Sequence, residues 1–418
     1  MKIIREYYFN KIDSWWSQTN NEALLVTGPL SVGKTTLILD WVKNKKISYK
    51  YFNEEKYNII KCYFSKANNP YWNFSVSILD ALHLKGPLPK LLIFDGVKPG
   101  DELIVQLKYL CANTNFKIIL ITDYGEYVFN NIRFIPVGSI QKIEVFPLSF
   151  KEFCKLTISD YLIRTVTDVL ALNGKQDIPL IDKFEDLWNQ YSHFGGLPSV
   201  VSALLEKGQA VAEAELFKIK NSITSFINNS FPTSSKILTL LNNFSSSRSS
   251  SYHRIVFSSV YKTASYTRLK QEISILKELG FINEVSFKRK DETATGIVSL
   301  YFYDVGLEYI WNKNIKRDYA LEAIMTSFIA SKSYSPFRII LDKNLIIDFS
   351  WESKKTSLFD LYTKYNQSIR HSIDKKAKSS LSNKNILFIS LIDKGLTFTY
   401  KKENLLICPV WLYLLGGN

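Results

Sequence analysis

The nine residues "GPLSVGKTT", positions 28–36, constrain this chain more than any other stretch. They fit G-x-x-x-x-G-K-[ST] in full, and they follow the apolar run "ALLVTG" (23–28). A strand that runs into a glycine-rich loop and then a helix is the context this pattern requires. Gly28 and Gly33 let the backbone curl, so that its N–H groups face phosphate oxygens. Pro29, Ser31 and Val32 complete the loop, and Thr36 continues it into the helix. Lys34 is placed to reach the β- and γ-phosphates and the Thr35 hydroxyl to ligate Mg²⁺, so the motif implies ATP and Mg²⁺ as cofactors.

A loop of this kind belongs to a parallel α/β sheet, and further apolar runs supply it. "IIKCYFS" (59–65), "KLLIFD" (90–95) and "FKIILIT" (116–122) alternate with loop or helical stretches, and "KIEVFPLSF" from Lys142 reads as the last strand. "KLLIFD" delivers Asp95 to the end of a buried strand, the place of a metal-side carboxylate. In most ATPases that end a strand this way a Glu follows and orients the attacking water; here the next residue is Gly96. Thr122 ends the following strand, where a polar residue commonly senses the γ-phosphate. Asp123 or Glu126, just beyond it, could replace the missing carboxylate.

The rest of the chain divides by pattern. Residues 1–22 read as a leading helix with an aromatic face (Tyr7, Tyr8, Trp15, Trp16). Residues 1–150 make the nucleotide-binding core, and 151–230 a helical lid with a polar loop near "LNGKQDIPL" (172–180). "FGGLP" (194–198) is a turn into a helix that starts at its proline. After the serine-rich "SSSRSSS" (245–251) comes "YTRLKQEISILKELG" (266–280), with Leu269, Ile273, Leu276 and Leu279 on one face and Gly280 as its stop. Two alternating strands follow, so residues 231–310 read as a winged helix-turn-helix. Residues 311–418 read as a small α/β domain, closing on the apolar "LLICPVWLYLLGG" as a strand or helix.

At 418 residues two or three domains are expected. The net charge is +14, unevenly spread. Residues 231–418 hold 27 Lys and Arg against 16 Asp and Glu, whereas residues 1–230 hold 26 against 23. A basic half beside a nearly neutral one suits a polyanion partner. No run reaches the ~18–20 apolar residues of a membrane span. No apolar leader opens the sequence, and Cys62, Cys111, Cys154 and Cys408 lack metal-ligand spacing. A cytoplasmic protein with reduced thiols is the expectation. On the face of 266–280 opposite the apolar stripe lie Tyr266, Lys270, Gln271, Ser274 and Lys277, with Arg268 at its edge. Lys262 precedes that helix, and Lys288, Arg289 and Lys290 sit on the expected wing. Cations and small polar donors in this arrangement suit a DNA major groove and backbone, although winged helices also serve as protein interfaces.

Taken together, these motifs resemble a prokaryotic family that joins an AAA-type ATPase to a winged helix and a C-terminal domain resembling the restriction-endonuclease-like, PD-(D/E)xK, fold. The matching pieces are the loop at 28–36, Asp95, "FPLSFKEF" (146–153), "FGGLP", "LYFYDVGLE" (300–308), "LEAIMTSFI" (321–329) and "IIDFS" (346–350). The resemblance implies ATP binding, DNA contact and a role inferred for mobile elements or defence. Three departures stand out. The family carries Asp-Glu where this chain has Asp95-Gly96. It carries Thr-Gly-Ser where this chain has Thr122-Asp123-Tyr124. It carries a Gly-Arg pair where this chain has Gly138-Ser139, with Arg133 nearby as a substitute. Loss of an arginine finger alone is worth roughly 10³–10⁵ in rate.

In the endonuclease-like domain, Glu322 would be the helical acid, Asp348 the central Asp and Asp360 the third acid. Tyr362 stands where the Lys of Glu-x-Lys belongs, which favours a degenerate site used for binding or packing. Three readings result: an ATP-controlled switch that contacts DNA and hydrolyses weakly or not at all; an ATP-dependent nuclease; and a protein-interaction signalling ATPase that binds no DNA. A protein partner or a second copy of the chain stays open.

Overall fold

The computed structural model describes residues 3–19, 22–53, 89–99, 116–129, 140–243, 266–286, 298–311, 317–331, 345–350, 387–392, 396–402 and 405–416. They form two compact units, each discontinuous in sequence. The first comprises Met1–Pro147, Leu197–Asn283 and Leu300–Lys313, and the second Leu148–Gly196, Glu284–Ser299 and Asn314–Asn418.

The first unit starts with helix α1 (Glu6–Trp16), strand β1 (Ala23–Thr27) and helix α2 (Lys34–Lys45). Strands β2 (Tyr49–Phe52), β3 (Leu91–Asp95), β4 (Lys117–Ile121) and β5 (Ile140–Glu144) follow. The strands lie in the order β2-β3-β4-β1-β5, and every pairing is parallel. All five residues of β1 are buried, as are Leu91–Phe94 and Ile118–Ile121. Sheets covered on both faces need such unbroken apolar runs. One edge of the sheet is β2, "YKYF", whose first two residues are exposed. The apolar run at 59–65, expected to be the second strand, lies outside the described residues. A half-polar edge strand has no apolar run to announce it.

The aromatic face expected of α1 divides in two. Tyr8 and Trp15 are buried, but Tyr7 is 57% exposed. Trp41 of α2 donates its indole N–H to the Asp13 carboxylate at 2.9 Å. Lys117 donates to the carbonyls of Trp15 and Gln18 and so caps the C-terminus of α1.

Helices α3 (Phe150–Lys155), α4 (Asp160–Thr167) and α5 (Ile181–Phe194) belong to the second unit, with strand β6 (Gly174–Asp177) between the last two. Helix α3 starts with a capping box between Ser149 and Glu152. Where a polar loop is expected at "LNGKQDIPL", four residues form β6 instead. Its sequence, "GKQD", has no strand propensity of its own. Its antiparallel partner strand, Phe398–Lys402, holds it.

The chain then returns to the first unit through α6 (Pro198–Lys207), with its proline in the first turn as expected. Helices α7 (Gln209–Ser230), α8 (Ser234–Asn243) and α9 (Tyr266–Glu278) follow. Ile273, Leu276 and Leu279 are buried. The Gly280 N–H donates to the Lys277 carbonyl and the Phe281 N–H to the Leu276 carbonyl, both at 2.9 Å, with Gly280 at φ 74°. That is a complete Schellman stop. Strands β7 (Ile282–Ser286) and β8 (Val298–Phe302) pair as a two-stranded sheet, and α10 (Val305–Trp311) follows.

The second unit ends with α11 (Arg317–Ser331), β9 (Leu345–Ser350), β10 (Leu387–Ile392), β11 (Phe398–Lys402), β12 (Leu405–Pro409) and α12 (Val410–Gly416). Its sheet has the order β6-β11-β12-β10-β9 and is mixed. Strand β10 is parallel to β9 and β12, while β11 is antiparallel to β12 and β6. Residues Val410–Leu415 are all buried, and the Trp411 indole stacks on Phe184 of α5 at 5.4 Å. The closing apolar segment is thus both a strand and a helix. Cys154 and Cys408 are buried, and burial pushes both thiols up, away from reactivity. No described helix is long and apolar enough to cross a membrane.

Candidate nucleotide site

The phosphate-binding loop joins β1 to α2 at the C-terminal edge of the parallel sheet, where ligands of open α/β sheets gather. Gly28 has φ 136°, and a Cβ there would lie 2.2 Å from the Val145 carbonyl oxygen. Only glycine lets β1 turn this close to the exit of β5. Gly33, at φ 85°, is the N-cap of α2, so the first N–H groups of the helix face the loop.

The Thr35 hydroxyl donates to Asp95 Oδ2 at 2.7 Å. These two groups, from residues 60 apart in sequence, fit an octahedral Mg²⁺ that keeps most of its waters, and Thr35 and Asp95 would hold it. A third residue joins them, one that the sequence did not signal. Tyr51, on β2, donates its hydroxyl to the same Asp95 oxygen at 2.8 Å. Burial, and then the hydrogen bond and charge of Asp95, push the Tyr51 phenol well above its usual range, so it stays a donor.

Gly96 is more than an absent glutamate. It has φ 90°, and both its N–H and that of Val97 donate to the Ile121 carbonyl, at 3.1 and 3.0 Å. The chain makes a left-handed turn at the residue that would carry the water-orienting carboxylate. An L side chain is strained in that conformation.

The Thr122 hydroxyl donates to the Val97 carbonyl at 2.8 Å and accepts the Tyr124 N–H at 3.0 Å. It is fully buried. Its hydroxyl is engaged in locking the ends of β3 and β4 together.

The next residue, Asp123, has its carboxylate 2.7 Å from Lys34 Nζ. That ammonium also donates to the carbonyls of Gly28, at 2.8 Å, and Pro29, at 2.6 Å. Glu126 lies in a 3₁₀ turn (Gly125–Phe129) and pairs with Lys142 on β5. Arg133 lies outside the described residues.

The segment after β8 also meets the loop. Tyr303 donates its hydroxyl to the Leu30 carbonyl at 2.9 Å. Burial, then the charges of Asp304 and Asp123, hold its phenol protonated. Asp304 accepts the Gly306 N–H at the start of α10, and Glu308 accepts the Phe302 N–H. "LYFYDVGLE" stood out in the sequence as a segment, yet nothing there marked Tyr303 as the residue that reaches the loop.

The other residues singled out from the sequence are dispersed. Lys270, Gln271, Ser274 and Lys277 are exposed on α9. Tyr266 and Arg268 lie in α9 too, but their side chains are outside the described set, as are the residues Lys262, Lys288, Arg289 and Lys290. Glu322 is in α11, and Asp348 is in β9 opposite Ser390 of β10. Asp360 lies outside the described residues. Among the described residues, no three His, Cys, Asp or Glu side chains are grouped to hold a metal.

Residues 20–154 match a protein family described as an AAA domain. The match spans β1 to α3 and covers about a third of the chain, so this part is an AAA-type nucleotide-binding domain. No curated protein matches the chain. Solved structures are similar at low identity. One is a signal-transduction ATPase with a tetratricopeptide-repeat sensor from Pyrococcus horikoshii, at 12% identity and TM-score 0.29, covering 79% of this chain and 46% of that one. This chain therefore spans about half the length of that protein. The Orc1 protein of Aeropyrum pernix, solved in complex with DNA, has 12% identity and TM-score 0.32, covering 75% and 93%. AMPPCP-bound DnaA from Aquifex aeolicus has 13% identity and TM-score 0.27, covering 65% and 85%.

Proposed function

We propose that this chain is an ATP-binding, AAA-type nucleotide switch, with weak or no hydrolysis, which contacts DNA through a winged helix-turn-helix and its basic C-terminal half. The observation that carries the reading is the joining of Thr35 and Asp95, beside a complete phosphate loop, to a left-handed turn at Gly96. The site has the groups to hold Mg²⁺ and polyphosphate, but no carboxylate at the position that activates water. Asp123 is engaged by Lys34 and Glu126 by Lys142, so neither points to an obvious relocated base. The exposed Lys270, Gln271, Ser274 and Lys277, with the surplus of cations in residues 231–418, support contact with a polyanion.

One observation favours a second reading, a protein-interaction signalling ATPase that binds no DNA. Tyr303 touches the phosphate loop directly, which gives the segment after β8 a route to respond to nucleotide whether or not α9 meets DNA. The nuclease reading gains no such support.

The test is Mg²⁺-ATP affinity and turnover for wild type and Lys34→Ala, with and without duplex DNA at two salt concentrations. Binding should weaken at least about 100-fold in Lys34→Ala, because the ammonium is the group placed to meet the phosphates of a bound nucleotide. Turnover should stay near background, and DNA affinity should fall steeply with salt. Fast turnover stimulated by DNA would replace the switch with an ATP-driven enzyme. DNA affinity that is absent or indifferent to salt would select the second reading.

A further inference from the structure

Lys34 has three N–H donors, and three acceptors surround it: the carbonyls of Gly28 and Pro29 and the carboxylate of Asp123. Its side chain is 4% exposed, so it has no solvent to fall back on. To touch a phosphate, the ammonium must release one of these partners. Two are neutral carbonyls of the loop itself. The third is an anion and repels the incoming phosphate as well as competing for the lysine.

Asp123 is not on a loose loop. The residue before it, Thr122, is locked on both sides through the Val97 carbonyl and the Tyr124 N–H. The residue after it, Tyr124, packs its ring on Phe226 of α7 at 5.0 Å and shares a hydrogen bond with Ser230 at 3.1 Å. Tyr127 meets Phe231 in the same way. The backbone of residue 123 is therefore fixed, and its carboxylate can leave Lys34 only by side-chain rotation.

Resting on the nucleotide-binding reading above, we infer that Asp123 sets which nucleotide the site accepts: it competes with the outermost phosphate for Lys34 and disfavours a triphosphate relative to a diphosphate. A diphosphate leaves the outer part of the loop to the Asp123–Lys34 pair. A triphosphate brings its γ-phosphate into the space the carboxylate shares, and two anions then contest one ammonium. The carboxylate is 42% exposed, so water screens the repulsion and the preference is graded rather than absolute.

The experiment compares wild type, Asp123→Asn and Lys34→Ala by calorimetric titration with Mg²⁺-ADP and with a non-hydrolysable Mg²⁺-ATP analogue. Asp123→Asn keeps the shape and removes the charge, and should tighten the triphosphate analogue about tenfold and the diphosphate by threefold or less. Asp123→Ser guards against a new hydrogen bond from the amide and should act in the same direction. Unchanged or weakened analogue affinity in both variants, with Lys34→Ala still defective, would overturn the competition alone. Equal tightening of both nucleotides would overturn the selectivity. Wild-type affinity in Lys34→Ala would overturn the nucleotide-binding reading itself.

Discussion

Each unit of this molecule is built on a five-stranded sheet, and the two sheets differ in what their ends carry. In the first, every strand is parallel, so the C-terminal ends of β1, β3 and β4 share one edge. Asp95 closes β3, Gly28 and Asp123 lie just beyond β1 and β4, and a site assembles from residues far apart in sequence. In the second, β11 runs against β12 and β6. Only β11 is reversed, so β6, β9, β10 and β12 end on one edge, and there β12 runs straight into the buried apolar helix α12. The shared edge of the first sheet gathers the phosphate loop, Thr35 and Asp95, whereas the described part of the second sheet's shared edge ends in apolar packing.

The largest expected effect tests whether the second sheet is structural in that sense. Trp411 is fully buried and stacked on Phe184, and Trp411→Ala should cost about 3–5 kcal/mol, the usual penalty for emptying a large aromatic site. Chemical denaturation should show that loss, with Mg²⁺-nucleotide affinity within about twofold of wild type. A variant that loses nucleotide binding in proportion would break the division of labour between the sheets.

The same contrast governs what the sequence reveals. β1, β3 and β4 are apolar runs buried on both faces, and their positions follow from composition alone. The loop at 28–36 and Asp95 are legible because the chemistry of phosphate and metal demands those residue types in that order. β2 and β6 are not legible, since "YKYF" and "GKQD" are edge strands whose pairing is decided by a neighbour. Tyr51 is hidden for the same reason: its role depends on β2 lying beside β3. Thr122 shows the opposite limit. Sequence places it at a strand end, but only the hydrogen bonds to Val97 and Tyr124 reveal that its hydroxyl is already used.

Gly96→Glu sharpens the comparison at the end of β3, with an intermediate effect. A non-glycine residue at φ 90° should lose about 1–2 kcal/mol of stability, seen as a lower melting temperature. Turnover should not rise above background, because the backbone there does not aim a side chain as a regular strand end would. A rise of several orders of magnitude would mean that the missing carboxylate is the sole defect and that the left-handed turn is no barrier.

Tyr51→Phe should give the smallest effect, and it probes whether the edge strand belongs to the site or only to the sheet. The substitution removes one hydrogen bond to Asp95 and leaves the one from Thr35. A bond to a carboxylate that water can partly replace is worth about 1 kcal/mol here. Mg²⁺-dependent nucleotide affinity should therefore weaken about three- to tenfold. Affinity measured with chelator present should not change, since Tyr51 acts through the metal-side carboxylate and not on the loop. If both affinities fall together, the hydroxyl stabilises the edge of the sheet rather than orienting Asp95. The convergence at that edge then reduces to the loop, Thr35, Asp95 and Asp123.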